Sequence, residues 1–116
     1  MFEKFLNKTK YTEEELVKEL LNPAFNSNKV NKIINSITVD LNTLFFNDEL
    51  VFHICCKKDL FQAVSWFLEN DINIEIENDQ KETAIFYAIH SKSTAILQIL
   101  IEYIININHL NIYNNL

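Results

Sequence analysis

The sequence predicts an all-α protein, a solenoid of antiparallel helix pairs joined by projecting hairpin-like loops. Three observations point there. First, the chain repeats itself at a period of 33 residues without a gap. Glu102–Asn108 (EYIININ) overlays Glu69–Glu75 (ENDINIE) and Ser36–Asn42 (SITVDLN). Apolar Ile105, Ile72 and Val39 coincide, as do Ile107, Ile74 and Leu41, with polar Asn106, Asn73 and Asp40 between them. Upstream, Ile99, Trp66 and Ile33 coincide, and so do Leu100, Phe67 and Ile34. A fixed period over three copies is the mark of units that bury their apolar faces against one another. Second, each unit reads as two short apolar helices split by a polar turn, followed by an alternating stretch. Third, 116 residues make one domain, and a hydrophobic content of 48% is enough to fill a sizeable core.

The elements follow in order. Thr12 and Glu15 in TEEELVKELL make a capping box, and the acids on one side of that helix suit the end of an array. Pro23 in LLNPAFNS belongs to an inter-helix turn, because its ring cannot sit inside a helix. In the last full unit, Thr83 is placed to cap AIFYAIH through its hydroxyl, and Ser93 to cap TAILQILIEYI. The short polar HSKS between them makes the two helices antiparallel neighbours. After the second helix, IININHLNIY alternates apolar and polar residues from Ile105 to Asn108, which predicts extended structure running into a polar turn.

The unit resembles an ankyrin repeat. The family pattern Thr-Pro-Leu-His-x-Ala is met by Thr83-Ala84-Ile85-Phe86-Tyr87-Ala88 and, more loosely, by Leu50-Val51-Phe52-His53-Ile54-Cys55. The family's second-helix and loop signature is met by Ile96 to Asn108. The resemblance implies one ankyrin-repeat domain over residues 1–116. Within it, residues 1–44 are a degenerate N-terminal capping unit, 45–77 and 78–110 are repeats, and 111–116 start a further one. Where the family has glycine, this chain, which has none, holds Asp48, Lys81 and Asn114 in loops. Asp59 and Lys92 fall between helices, and Asp71 and Ile104 at helix ends. Asp and Asn tolerate positive φ; Ile104 and Lys92 do so poorly, which predicts local distortion after the last helix.

Composition excludes several kinds of work. The net charge of −6 and the absence of arginine (all ten basic residues are lysine) argue against nucleic acid. Without glycine there is no phosphate-cradling loop, and no cofactor is expected. No stretch reaches the roughly 18 apolar residues that span a bilayer, and MFEKFLNKTK is no signal peptide. The adjacent Cys55 and Cys56 suggest a reducing, cytoplasmic setting rather than a disulfide. In the repeat register these two cysteines take the small paired-alanine positions and His53 the structural histidine position, so no metal site is expected. The acids from Asp71 to Glu82 have the spacing of a calcium loop but carry Ile76 where that loop needs glycine. Ser91 and Ser93 beside His90 read as turn and cap residues, and no enzyme is expected.

What remains is surface. The resemblance implies a non-catalytic protein–protein interaction module using the concave face of inner helices and loop tips. The alternative is an N-terminal regulatory or targeting domain of a longer enzyme or sensor. Carried over by position, the partner-binding residues are Phe46, Asn47 and Glu49 from one loop and Asp79, Gln80 and Glu82 from the next. Ile112 and Tyr113 come from the third loop, and Lys57, Lys58, His90 and Ser91 extend the face between helices. Phe45 and Phe46 either anchor a partner or pack between units. AILQILIEYII has no polar face for a terminal unit, so further repeats or a second molecule are expected to cover it.

Overall fold

The computed structural model describes residues 11–114, with side chains through His109. Six α-helices lie among them in two rows. Helix α1 (Glu13–Leu20) begins at the expected capping box. The Glu15 amide donates to Thr12 Oγ1 at 3.1 Å, and the Thr12 amide donates to Glu15 Oε1 at 3.2 Å. Glu13, Glu14 and Glu15 then sit in the first turn and Lys18 in the last, the polarity that the helix dipole favours. The helix buries Leu16, Val17 and Leu20. Pro23 lies in the following turn, where the Ala24 amide donates to Asn22 Oδ1. Asn26 caps α2 (Ser27–Ile34), which buries Val30 and Ile33.

A two-residue hairpin follows. Strands β1 (Phe45–Phe46) and β2 (Glu49–Leu50) pair antiparallel, Phe45 with Leu50 and Phe46 with Glu49. Asn47 (φ 52) and Asp48 (φ 64) between them are both left-handed, the geometry of a tight turn whose twist matches its strands. Helix α3 (Val51–Lys57) comes next and is almost wholly buried. It is followed by α4 (Phe61–Glu69), α5 (Ala84–His90) and α6 (Thr94–Asn114).

Each odd-numbered helix pairs with the even-numbered one after it. The inner helices α1, α3 and α5 pack in sequence, and α6 packs against α4 in the outer row. One apolar core runs through the stack, including Leu20, Ile33, Phe52, Cys55, Phe67, Ala88, Ile96 and Leu100. Cys55 and Ala88, equivalent in register, are both buried. Polar ties also cross between units: Trp66 Nε1 donates to Asn31 Oδ1 at 2.8 Å, and the Asn73 amide donates to Asn42 Oδ1 at 2.8 Å.

Turns lacking glycine are made by Asp48, Asp59, Asp71 and Lys81, all with positive φ, and by Lys92, which takes φ 58 although a lysine is expected to fit there poorly. Asp71 (φ 61) stops α4: the Ile72 amide donates to the Phe67 carbonyl at 3.2 Å and the Asp71 amide to the Leu68 carbonyl at 3.3 Å. These are the two bonds of a Schellman stop.

Of the two readings of Phe45 and Phe46, the structure has them more than 40% exposed, on the hairpin beside α1. Two local expectations fail. Thr83 is the N-cap of α5, but its hydroxyl makes no capping hydrogen bond. Most notably, residues 104–114 are not an extended loop, since α6 runs through them to Asn114. Ile104 stands where α4 has Asp71, and a β-branched residue resists the left-handed conformation that a stop requires. Ile104 therefore stays helical, and Asn114 is the last helical residue rather than a loop turn.

Candidate functional site

The β1–β2 turn and the 76–80 turn of the next unit stand side by side and enclose a cleft of about 370 Å³. Asn47, Glu49, Asp79 and Gln80 line it, as the repeat register predicts. His53 and Tyr87, on α3 and α5, line it too, together with Phe45, Asp48, Ile76, Glu77 and Asn78.

The second turn is built on Asn78. Its Oδ1 accepts from the Gln80 and Glu82 amides, both at 2.9 Å. Its Nδ2 donates to Glu82 Oε1 at 2.7 Å and to the Tyr87 hydroxyl at 2.8 Å. The Asn78 amide donates to the Glu82 carbonyl at 3.0 Å, closing the loop around Lys81 (φ 66). Glu82 thus braces the turn through Asn78. In the first turn Glu49 receives both hydrogen bonds of Lys57 Nζ, at 2.8 and 3.0 Å, so those two predicted residues hold each other.

His53 is 1% exposed and its ring stacks on Tyr87 at 4.8 Å. Burial pushes its pKa down, against the raising effects of a hydrogen bond to the Ile76 carbonyl and of Glu49 and Glu82. Its Nε2 has no hydrogen-bond partner among the described residues, so charging the ring would put an unsatisfied N–H in the core. Burial likewise raises Tyr87, opposed by the Asn78 hydrogen bond. The Cys55 thiol is pushed up to about 12 by burial, and Cys56 is raised further by the same cause. Both are buried thiols rather than nucleophiles at neutral pH. Among the described residues no group of three His, Cys, Asp or Glu side chains could hold a metal ion. No helix of the described residues is long and apolar enough to cross a membrane.

The other predicted residues fall elsewhere. Phe46 lines a separate cavity with Phe45, with Glu13, Glu14, Val17 and Lys18 of α1, and with Leu21 just after it. Phe45 and Tyr87 supply the cleft's aromatic rings instead. Lys58 is exposed in the α3–α4 turn. His90 ends α5 with its ring stacked on Phe86 at 5.1 Å, and Ser91 Oγ donates to the Tyr87 carbonyl at 2.7 Å. Neither lines the cleft. Ile112 and Tyr113 belong to α6 and to no third loop, and their side chains lie outside the described residues. Position in the repeat could not single out His53, Tyr87 or Asn78 as lining residues. One signal was present: Tyr87 places a hydroxyl at the position equivalent to buried Ile54, and a polar tip on such a ring needs a partner.

Comparison with curated proteins and with solved structures gave no match. A family model described as ankyrin repeats, in three copies, matches residues 8–111. Repeats of this kind are generally protein–protein interaction modules and are typically non-catalytic. The match takes in both rows of stacked helices and the turns between them, and the chain belongs to the ankyrin repeat family.

Proposed function

We propose that this chain is a non-catalytic interaction module that takes a protein partner on its concave side, at the cleft between the 45–50 and 76–80 turns. The balance of hydrogen-bonding groups there carries the reading. Asp48, Glu49, Glu77 and Asp79 bring carboxylates to the cleft beside the rings of Phe45 and Tyr87. Of the donors nearby, Lys57 Nζ is held by Glu49 and Asn78 Nδ2 by Glu82 and Tyr87, and no lysine is among the lining residues. The surplus is of acceptors next to aromatic surface, on a chain of net charge −6. A lysine or arginine side chain of a partner answers both, pairing with the carboxylates and lying against a ring. Asn47, Glu49, Asp79 and Gln80 then make the contacts, while Asn78 and Glu82 hold the turn in shape.

Selection of displayed random peptides on the whole chain tests this. The expected outcome is enrichment of peptides carrying Lys or Arg, with capture that weakens as salt rises. Joint Glu77→Ala and Asp79→Ala substitution should lower that capture and flatten its salt dependence. Circular dichroism and melting temperature should hold, because exposed changes seldom exceed about 0.5 kcal/mol. Selected peptides without basic residues, or capture indifferent to the substitutions, would move the site off the cleft.

A further inference from the structure

We infer that the chain's own first ten residues, MFEKFLNKTK, fill the apolar cavity between α1 and the β1–β2 hairpin. That cavity measures about 480 Å³. Val17, Leu21, Phe45 and Phe46 line it, together with Glu13, Glu14 and Lys18. Phe45 and Phe46 give it a need for an occupant: they are 56% and 46% exposed, next to each other on a two-residue strand.

The repeated path of the chain says which segment belongs there. The β1–β2 hairpin leads into α3 and the 76–80 turn leads into α5, and these two stand side by side across the acidic cleft. The stretch that leads into α1 is residues 1–11. In a stack of one repeated unit it comes to the other side of the hairpin, where Phe45, Phe46 and α1 form the cavity. Its last residue, Tyr11, already packs against the core, beside the Thr12 cap. Residues 1–10, which lie outside the described structure, are thus tethered two residues from Glu13, the first lining residue. A ligand on so short a tether acts at an effective concentration on the order of millimolar, far above that of a free partner of equal affinity.

Reach, order and charge select the same occupant. The cavity follows α1 from Glu13 to Leu21, about 12 Å of helical rise. Ten extended residues span up to about 33 Å, so the segment can turn back at Tyr11 and run along it. Lys8 and Lys10 then fall beside Glu13 and Glu14, at the end nearest the tether. Phe2, Phe5 and Leu6 share the i, i+3, i+4 spacing of one helix face and fall beside Val17 and Leu21. Glu3 falls at the end that holds Lys18. The segment carries three of the chain's ten lysines but one of its 16 acids, the reverse of the balance elsewhere. It therefore brings to Glu13 and Glu14 the charge that the rest of the chain lacks.

Nuclear Overhauser spectroscopy on the full chain tests the assignment. Cross-peaks are expected from the rings of Phe2 and Phe5 and the methyls of Leu6 to the methyls of Val17 and Leu21 and the ring of Phe46. A mixture of labelled and unlabelled chains should show none of them between copies. Phe5→Asp with Leu6→Asp should remove the contacts and shift the Val17 and Phe46 resonances, while the amide signals of α4 to α6 stay in place. The unsubstituted chain carries the test by itself if that variant misfolds. Absence of cross-peaks from Phe2, Phe5 and Leu6 to the cavity would leave it to another occupant, such as an apolar segment of a different protein. Cross-peaks seen only between copies would give it to a second molecule. Either result, or cavity resonances indifferent to the Phe5 and Leu6 substitutions, overturns the assignment.

Discussion

Helices α4 and α6 occupy the same place in consecutive units, yet one stops after nine residues and the other runs for 21. The difference traces to one register position. At Asp71 the chain turns left-handed, Asn70 Nδ2 donates to the Trp66 carbonyl, and Ile72 folds back under its own unit and is buried. The turns at Asp59 and Lys92 are built alike, with amide-to-carbonyl bonds from Leu60 to Cys55 and from Ser93 to Ala88. Ile104 breaks the series. For an L-residue the left-handed well costs roughly 1–2 kcal/mol, and Ile pays more than Asp because of its branched Cβ. Continuing the helix avoids that cost and satisfies the same carbonyls. One side chain thereby decides whether the 33-residue path is kept.

The largest expected effect separates the two units at their next residue. Ile72 and Ile105 are equivalent, but only Ile72 is buried. Ile72→Ala should cost about 2–5 kcal/mol, as deletion of a buried aliphatic does. Ile105→Ala should stay within about 0.5 kcal/mol in the monomer. Urea unfolding of both variants at low protein concentration checks the contrast, and equal losses would break the comparison.

Much of this was legible in the sequence. The period placed the helix pairs, and the family's glycine positions coincide with left-handed Asp48, Asp59, Asp71, Lys81 and Lys92, though not with Ile104 and Asn114, which are helical. The Thr12–Glu15 box was readable because both of its partners lie within one turn. The run-on of α6 was not. Ile105 and Ile107 alternate with Asn106 and Asn108, a strand-like pattern, while Ile101, Ile104 and Ile105 equally fit a helix face. Local pattern cannot choose between these readings. The conformational cost at residue 104 does. The site was half legible for a related reason: position in a repeat finds loop tips, but not the bonds that reach from a turn to a helix. Asn78 to Tyr87 and Lys57 to Glu49 are such bonds. Nor does position find the cavity that Phe46 lines with α1.

A smaller effect distinguishes the units at His53 and Phe86, again equivalent positions. Burial holds the folded-state pKa of His53 below the 6.5 of an exposed histidine. Above pH 6.5 the ring is neutral in both states and contributes no slope. Below it the unfolded chain takes up a proton that the folded chain refuses, so stability falls as pH falls until the lowered folded pKa is reached. The limit for one group is about 1.4 kcal/mol per pH unit. His53→Phe imports the residue of the next unit and should remove that component. The measurement is the difference in unfolding free energy between the two proteins at pH 7 and at pH 5. A constant difference would mean that His53 titrates normally in the fold.

The smallest change in stability should come with the clearest change in shape. Ile104→Gly installs at α6 the left-handed freedom that Asp71 provides at α4. Glycine lowers helix propensity by about 1 kcal/mol relative to alanine, and it removes the steric penalty on a Schellman stop. Both effects favour ending the helix near residue 103. Net stability should move by less than about 1 kcal/mol, because the lost helical turns lie beyond the core contacts of Ile96 and Leu100. Helical signal at 222 nm should fall by the share of residues 105–114, and amide exchange there should rise while α5 stays protected. The reverse exchange, Asp71→Ile, should cost roughly 1–2 kcal/mol, since Ile72 is buried beneath its own unit and α4 cannot run on without exposing it. If Ile104→Gly leaves the helix at full length, the run-on is set by packing of Tyr103 and Ile107 on the 72–75 loop, and not by the backbone at residue 104.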